Sequence, residues 1–316
     1  MIKNLFSYLP PDIRSAVQNI NENYREKIIE IRLRVNQPLQ IIGLDGDYFI
    51  DSHGQKTSKR NAYIVNREDV KKAVTILTDN SVYAVERQLA EGFITIPGGH
   101  RIGFTGQAVV ESGEIRLIKN INCLNYRITR EMIGVGNKVI KQIYDFKNRV
   151  YYNTMIVSPP LCGKTTLLRD IVRLISNGIK KYGIPGKKVG VVDERSEIGG
   201  AYNGIPGNRI GSRTDLLDNC PKAKGISLLV RSMSPEVIAV DEIGNEEDVI
   251  AIQEATNSGV SLIATAHGEN LTTLKMRPAM ARLMSKNFFD RFIILSRKRG
   301  IGTVEKIIDS TGKEVV

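Results

Sequence analysis

The chain has 316 residues, 41% of them hydrophobic, which suffices for two globular domains with separate cores. Lysine and arginine total 45 against 34 acidic residues, and the formal excess of +11 is spread almost evenly between the halves instead of forming the blocks that mark nucleic-acid or membrane tails. Three cysteines, Cys123, Cys162 and Cys220, are too few and too scattered for a disulfide framework or a zinc site.

No stretch approaches the ~18 uninterrupted apolar residues of a membrane-spanning helix. The N-terminal "MIKNLFSYLPPDIRSAV" lacks the apolar core and small-residue cleavage site of a signal peptide. A cytoplasmic chain is the expectation.

In residues 1–130 the hydrophobic period is mostly two. "IIEIRLRVNQPLQII" alternates Ile29, Ile31, Leu33 and Val35 with Glu30, Arg32 and Arg34, which predicts a strand with one buried face. A helix is expected from Asn66, an N-cap followed by Glu68 and Asp69, with Val70, Ala73, Val74 and Leu77 at helical spacing. "GFITIPGGHRIGFTGQAVV" reads as two strands joined at Pro97-Gly98-Gly99, because proline fixes φ and glycine reaches positive φ. This is a small N-terminal α+β domain.

From residue 131 to 316 the rhythm changes to helices of 12–16 residues alternating with short, wholly apolar strands: "TMIV", "KVGVV", "VIAV" and "VSLIATA". Strands apolar on both faces and separated by helices imply a mainly parallel sheet covered on both sides, with ligands at the strands' carboxyl ends.

The first of these strands runs into "SPPLCGKTT", Ser158, Pro159, Pro160, Leu161, Cys162, Gly163, Lys164, Thr165 and Thr166. This is a phosphate loop in which Ser158 replaces the usual first glycine. Inward N–H groups and the helix start hold phosphates, Lys164 reaches the β and γ phosphates of ATP, and the Thr165 hydroxyl serves Mg2+. "VIAVDEIG" delivers Asp241 to a strand end as a second partner for the metal, and puts Glu242 where it can orient the attacking water. "VGVVDERSEIGG" brings Asp193, Glu194 and Glu197 to the same edge, with Glu194 a rival to Glu242. "LIATAHGEN" places His267 where a side chain can sense the γ-phosphate. The glycine-rich stretch 199–217 is expected to be a functional loop bordering the nucleotide or lining a pore, and Arg297-Lys298-Arg299 a solvated hairpin tip, with a phosphate or lipid contact as the alternative.

The run "LLVRSMSPEVIAVDEIGNEEDVIAIQEATNSGVSLIATAHGEN" resembles type II and type IV secretion ATPases. Arg231, Pro235, Glu242, Ile243, Glu247, Gly259, Ala264, Thr265 and His267 stand at that family's fixed positions. Two departures are the family's Gly-Glu, here Asp241-Glu242, and its following arginine, here Gly244. "EIRLRVNQPLQI", "GGHRIGFTG" and "DERSEI" further resemble a sporulation branch of the superfamily from endospore-forming bacteria.

The resemblance implies a RecA-like P-loop ATPase domain behind the α+β domain, and an Mg2+-dependent hydrolase assembled as a homo-hexamer. It implies peripheral attachment at the cytoplasmic face of the forespore membrane on the mother-cell side, and membrane channel proteins of the sporulation apparatus as partners. It also implies that Arg101 and Arg127 of the first domain serve the phosphates. No specific nucleic acid is expected as a partner. The competing reading of the residues is a nucleic-acid-stimulated P-loop ATPase, which the basic pI favours; the even charge and the shortage of stacking aromatics oppose it. A scaffold that binds nucleotide without turnover is the third.

Overall fold

The computed structural model describes residues 5–78, 92–276, 278–285, 287–300 and 302–315. The chain divides into two compact units, Met1–Arg130 with Gly200–Tyr202, and Glu131–Gly199 with Asn203–Val316.

The first unit holds a seven-stranded sheet. Its strands are β1 (Ile28–Arg34), β2 (Gln40–Gly43), β3 (Gly46–Ile50), β4 (Lys56–Thr57), β5 (Phe93–Ile96), β6 (His100–Glu111) and β7 (Glu114–Arg127). They lie side by side in the order β4-β3-β2-β1-β7-β6-β5, with antiparallel pairing throughout. Ile31, Leu33, Leu124, Tyr126, Ile102 and Phe104 share its buried face with residues of helix α1 (Pro11–Gln18) and helix α2 (Arg67–Leu77). Helix α2 starts where its sequence asks: the Asn66 side chain accepts from the Asp69 amide while Asp69 accepts from the Asn66 amide, so two of the helix-start donors are satisfied reciprocally. One expected position moves. A register shift between Ile28 and Glu30 turns Ile28, not Ile29, into the core, because a bulge resets the two-residue alternation.

The second unit is built on another seven-stranded sheet. Its strands are β8 (Thr154–Ser158), β9 (Val189–Asp193), β10 (Thr214–Asp218), β11 (Val237–Val240), β12 (Ser261–His267), β13 (Arg291–Ser296) and β14 (Thr303–Asp309). The order is β10-β9-β11-β12-β8-β13-β14, parallel everywhere except the terminal β13–β14 hairpin. Alternate residues of one strand feed two different cores. Met155 and Val157 join Val240, Ala264 and the helices α4 (Lys222–Met233) and α5 (Glu246–Asn257) on one face. Ile156 joins Ala239, Ile263 and helix α3 (Lys164–Asn177) on the other. Burial on both faces is why these strands are continuously apolar in sequence.

The stretch 199–217 is more structured than a free loop. Its end becomes edge strand β10. Before that, Arg213 donates from its backbone to Ser176 Oγ (2.7 Å) and from Nη1 to the Ser176 carbonyl (3.0 Å), and the Ser212 amide bonds Asn177 Oδ1 (3.1 Å). These contacts cap the C-terminal end of α3, the end remote from Lys164, so this half of the stretch does not border the phosphate loop.

Candidate active site

Parallel order brings the carboxyl ends of β8, β9, β11 and β12 to one edge. Ser158 lies opposite His267 in the register, and Val192 opposite Val240, so the residues that follow these strands meet there. Strand β8 stops because Pro159 and Pro160 offer no N–H to a ladder. Leu161 (φ 59°) and Gly163 (φ 87°) then turn through left-handed conformations and α3 starts at Lys164. No side chain caps that helix start. Its first-turn amides, those of Thr165 and Thr166 among them, are therefore suited to an anion. Ser158 is fully buried and Cys162 nearly so, whereas Leu161 is exposed.

Lys164, only 7% exposed, folds back over the loop. Its Nζ lies 3.4 Å from the carbonyls of Ser158 and Pro159 and 2.9 Å from Nδ1 of His267. An ammonium only donates, so Nδ1 is the acceptor and the imidazole proton sits on Nε2, which lies 3.3 Å from Glu242 Oε2. Burial pushes the Lys164 ammonium below the ordinary lysine range, with Asp241 and Glu242 pulling the other way.

Thr165 Oγ1 donates to Asp241 Oδ2 at 3.0 Å, and buried Thr265 donates to Asp241 Oδ1 at 2.6 Å. The Glu242 amide bonds both Asp241 Oδ1 and Thr265 Oγ1 at 3.0 Å. These bonds hold Glu242 at φ 26°, a left-handed value that costs a non-glycine residue about 1–3 kcal/mol. A hydroxyl and a carboxylate are oxygen donors of the kind magnesium takes, so this pair fits that ion. Among the described residues no group of three or more His, Cys, Asp or Glu could hold a metal by itself. Magnesium would therefore enter with phosphate oxygens and water, its usual mode.

Glu194 is held differently from Glu242. Its Oε2 is ion-paired with Lys222, whereas Glu242 faces His267, with Arg195 at 4.0 Å. Both glutamates line one cleft of about 280 Å³ with Asp193 and Asp241. Asp193 is buried and structural: its oxygens accept the amides of Glu197 (2.8 Å), Ile198 (2.9 Å) and Gly199 (2.7 Å), fixing the acidic turn. Burial raises its carboxyl to about 6 against those amides, which lower it. Arg169, on the buried side of α3, braces the same turn through the carbonyls of Ile198 and Glu197.

Arg101 and Arg127 are direct register partners on β6 and β7 of the first unit. Glu30 faces Arg127 across β1, with Arg127 Nε 3.9 Å from Glu30 Oε1, and the Arg101 guanidinium lies 4.7 Å from the Phe93 ring centre. The structure thus pairs these two arginines with each other, on the polar face opposite the first unit's core.

Sequence reasoning missed three features of the second unit, the first being the Arg169 brace on the acidic turn. Thr265, seen only as a family position, is the buried hydroxyl that orients Asp241. Arg297 lies in an exposed turn, as expected, and in addition donates from Nε and Nη2 to the Leu161 carbonyl.

The fold is RecA-like. Two solved structures share the fold. One is the ATPase DotB of Legionella pneumophila, at TM-score 0.56 and 15% identity, covering 84% of this chain and 72% of that one. The other is the pilus retraction motor PilT with bound ADP, at TM-score 0.54 and 14% identity, covering 86% and 76%. More particularly, the chain belongs to the family "Sporulation stage III, protein AA", whose model matches residues 2–315. Stage III sporulation protein AA of Bacillus subtilis (strain 168) is 40% identical over 304 residues, 96% of this chain and 94% of that protein. The uncharacterized protein ycf45 of Cyanidium caldarium is 30% identical over 167 residues, 52% of this chain and 46% of that protein. Among the described residues no helix is long and apolar enough to cross a membrane.

Proposed function

We propose that the chain is a magnesium-dependent ATP hydrolase that works as a homo-hexameric ring motor. It would sit peripherally at the cytoplasmic, mother-cell side of the forespore membrane and energise a channel of the sporulation apparatus. The observation that carries the hydrolase reading is the convergence of Lys164, Thr165, Asp241, Glu242 and His267 on one sheet edge, beside an uncapped helix start. DotB, an ATPase, and PilT, a motor with bound ADP, support the activity. The name of the Bacillus relative supports the process.

On this reading Lys164 exchanges His267 for the β and γ phosphates, which restores charge compensation to a buried ammonium. Thr165 and Asp241 hold magnesium, which when bound neutralises phosphate charge and aligns the transferring group. Glu242, held at a left-handed φ by its two amide bonds, orients the attacking water. Its carboxylate is the better placed, since the rival Glu194 is occupied by Lys222. His267, released from Lys164, passes loss of the γ-phosphate on to the rest of the ring. Arg101 and Arg127 supply further positive charge to the phosphates.

The experiment is light scattering on the purified chain, with and without a nonhydrolysable ATP analogue, alongside phosphate release. Assembly to a six-fold mass with analogue and steady release are expected. A chain that stays monomeric at high concentration contradicts the ring, and one that releases no phosphate contradicts the hydrolase.

A further inference from the structure

The phosphate loop is held from behind by the C-terminal hairpin. Arg297, just past β13, sends Nε and Nη2 to the Leu161 carbonyl at 3.1 and 2.7 Å. At the other end of the same turn the Gly302 amide bonds the Cys162 carbonyl at 3.0 Å. Two successive carbonyls of the loop are thus fixed by residues that lie well over a hundred positions later in the chain.

The hairpin is braced enough to act as a fixed point. The Lys298 amide bonds Ser296 Oγ at 3.1 Å, Ser296 also bonds the Glu305 carboxylate, and Lys298 Nζ lies 3.2 Å from Glu305 Oε2. The Gly300 amide closes the turn on the Arg297 carbonyl at 3.0 Å. Among the described residues no cis peptide is present. In a trans peptide the C=O and the next N–H point in opposite directions. Holding the carbonyls of Leu161 and Cys162 toward the hairpin therefore aims the amides of Cys162 and Gly163 away from it. Convergent amides are what make such a loop an anion cradle.

Leu161 makes the need for a clamp specific. It is 74% exposed, so no packing holds it, yet it sits at φ 59°, where a side chain is disfavoured. A planar guanidinium that gives two donors to one oxygen restrains that peptide more tightly than a single ammonium would.

We propose that Arg297 is a positioning residue for phosphate binding, acting through the Leu161–Cys162 and Cys162–Gly163 peptides to preorganise the amides that receive the nucleotide's phosphates. The inference rests on reading the loop as the nucleotide site. It adds that affinity is set in part by a hairpin outside the motif.

The test is calorimetry of Mg-ADP with the wild-type chain, Arg297→Ala and Arg297→Lys, together with steady-state kinetics and thermal melts. Arg297→Ala is expected to weaken ADP about tenfold and to raise KM for ATP by a similar factor, while kcat at saturation stays within about twofold, since the clamp touches no reacting atom. Arg297→Lys, with the charge and a single donor, should fall between the two. If the alanine variant does not fold, a threefold loss in the lysine variant carries the proposal and wild-type affinity there overturns it. Wild-type affinity in a folded Arg297→Ala, or a fall in kcat with KM unchanged, also overturns it. A wild-type chain that binds no ADP overturns the nucleotide reading and this inference together.

Discussion

Lys164 and His267 share a hydrogen bond of 2.9 Å, and it occupies the one lysine of the phosphate loop. On the proposed function a triphosphate competes with His267 for that ammonium, so binding would free His267. His267→Ala should bind Mg-ADP at least as tightly as the wild type, since a competing acceptor is gone, yet turn over about 10–100-fold more slowly. Calorimetry beside single-turnover phosphate release checks both parts; unchanged turnover would remove His267 from the mechanism.

The two glutamates separate cleanly by mutation. Glu242→Gln should still bind Mg-ATP but lose about 10²–10³ in hydrolysis, the usual scale for a positioned polar group at the reacting centre. Glu194→Gln, whose partner is Lys222, should stay within a few-fold of wild type. Phosphate release from both variants at saturating ATP decides between them, and the reverse pattern would exchange their roles.

Thr265 offers a test of metal positioning without touching the proposed magnesium ligands, Thr165 and Asp241. Thr265→Val keeps the shape but removes the donor to Asp241 Oδ1 and one acceptor for the Glu242 amide. The expected cost is about 1–3 kcal/mol of stability and a higher magnesium requirement for phosphate release. Thr265→Ser should restore both. A magnesium titration that is the same for all three chains would show that the hydroxyl does not orient Asp241.

Asp193 predicts a pH effect on stability. Its folded-state carboxyl titrates at about 6, above the ordinary aspartate value near 3.9 expected in the unfolded chain. Between those values the folded chain binds more protons than the unfolded one. Stability due to this group is therefore greatest below about pH 4 and falls as pH rises to 6, by on the order of 2–3 kcal/mol. Asp193→Asn should abolish that slope while lowering stability at every pH, because an amide has one oxygen for three backbone donors. Urea unfolding at pH 4.5, 5.5 and 6.5 compares the two chains. A wild-type slope that persists in the variant assigns the effect elsewhere.

Local chemistry was legible in the sequence and long-range pairing was not. The Asn66 cap, the turn at Pro97-Gly98-Gly99 and the strands ending at Ser158, Asp193, Val240 and His267 follow from period, caps and turn residues within a few positions of each other. The bulge that exchanges Ile28 for Ile29 depends on the partner strand β2, which no alternation along β1 encodes. Strand β10 emerges from a glycine-rich stretch because the edge of β9 needs a partner, and its half-buried residues give no apolar signal of their own. Within the site, the phosphate loop and both carboxylate-bearing strand ends carried local signatures. Arg169 and Arg297 did not: each acts on a backbone carbonyl, 28 and 136 residues away in the chain, and a carbonyl leaves no trace in sequence.

The most direct test of the central claim is phosphate release from Mg-ATP by the wild-type chain and by Lys164→Ala, each shown to be folded. The account predicts sustained release by the wild type and none above background from the variant. Equal release from both, or none from either, would contradict it.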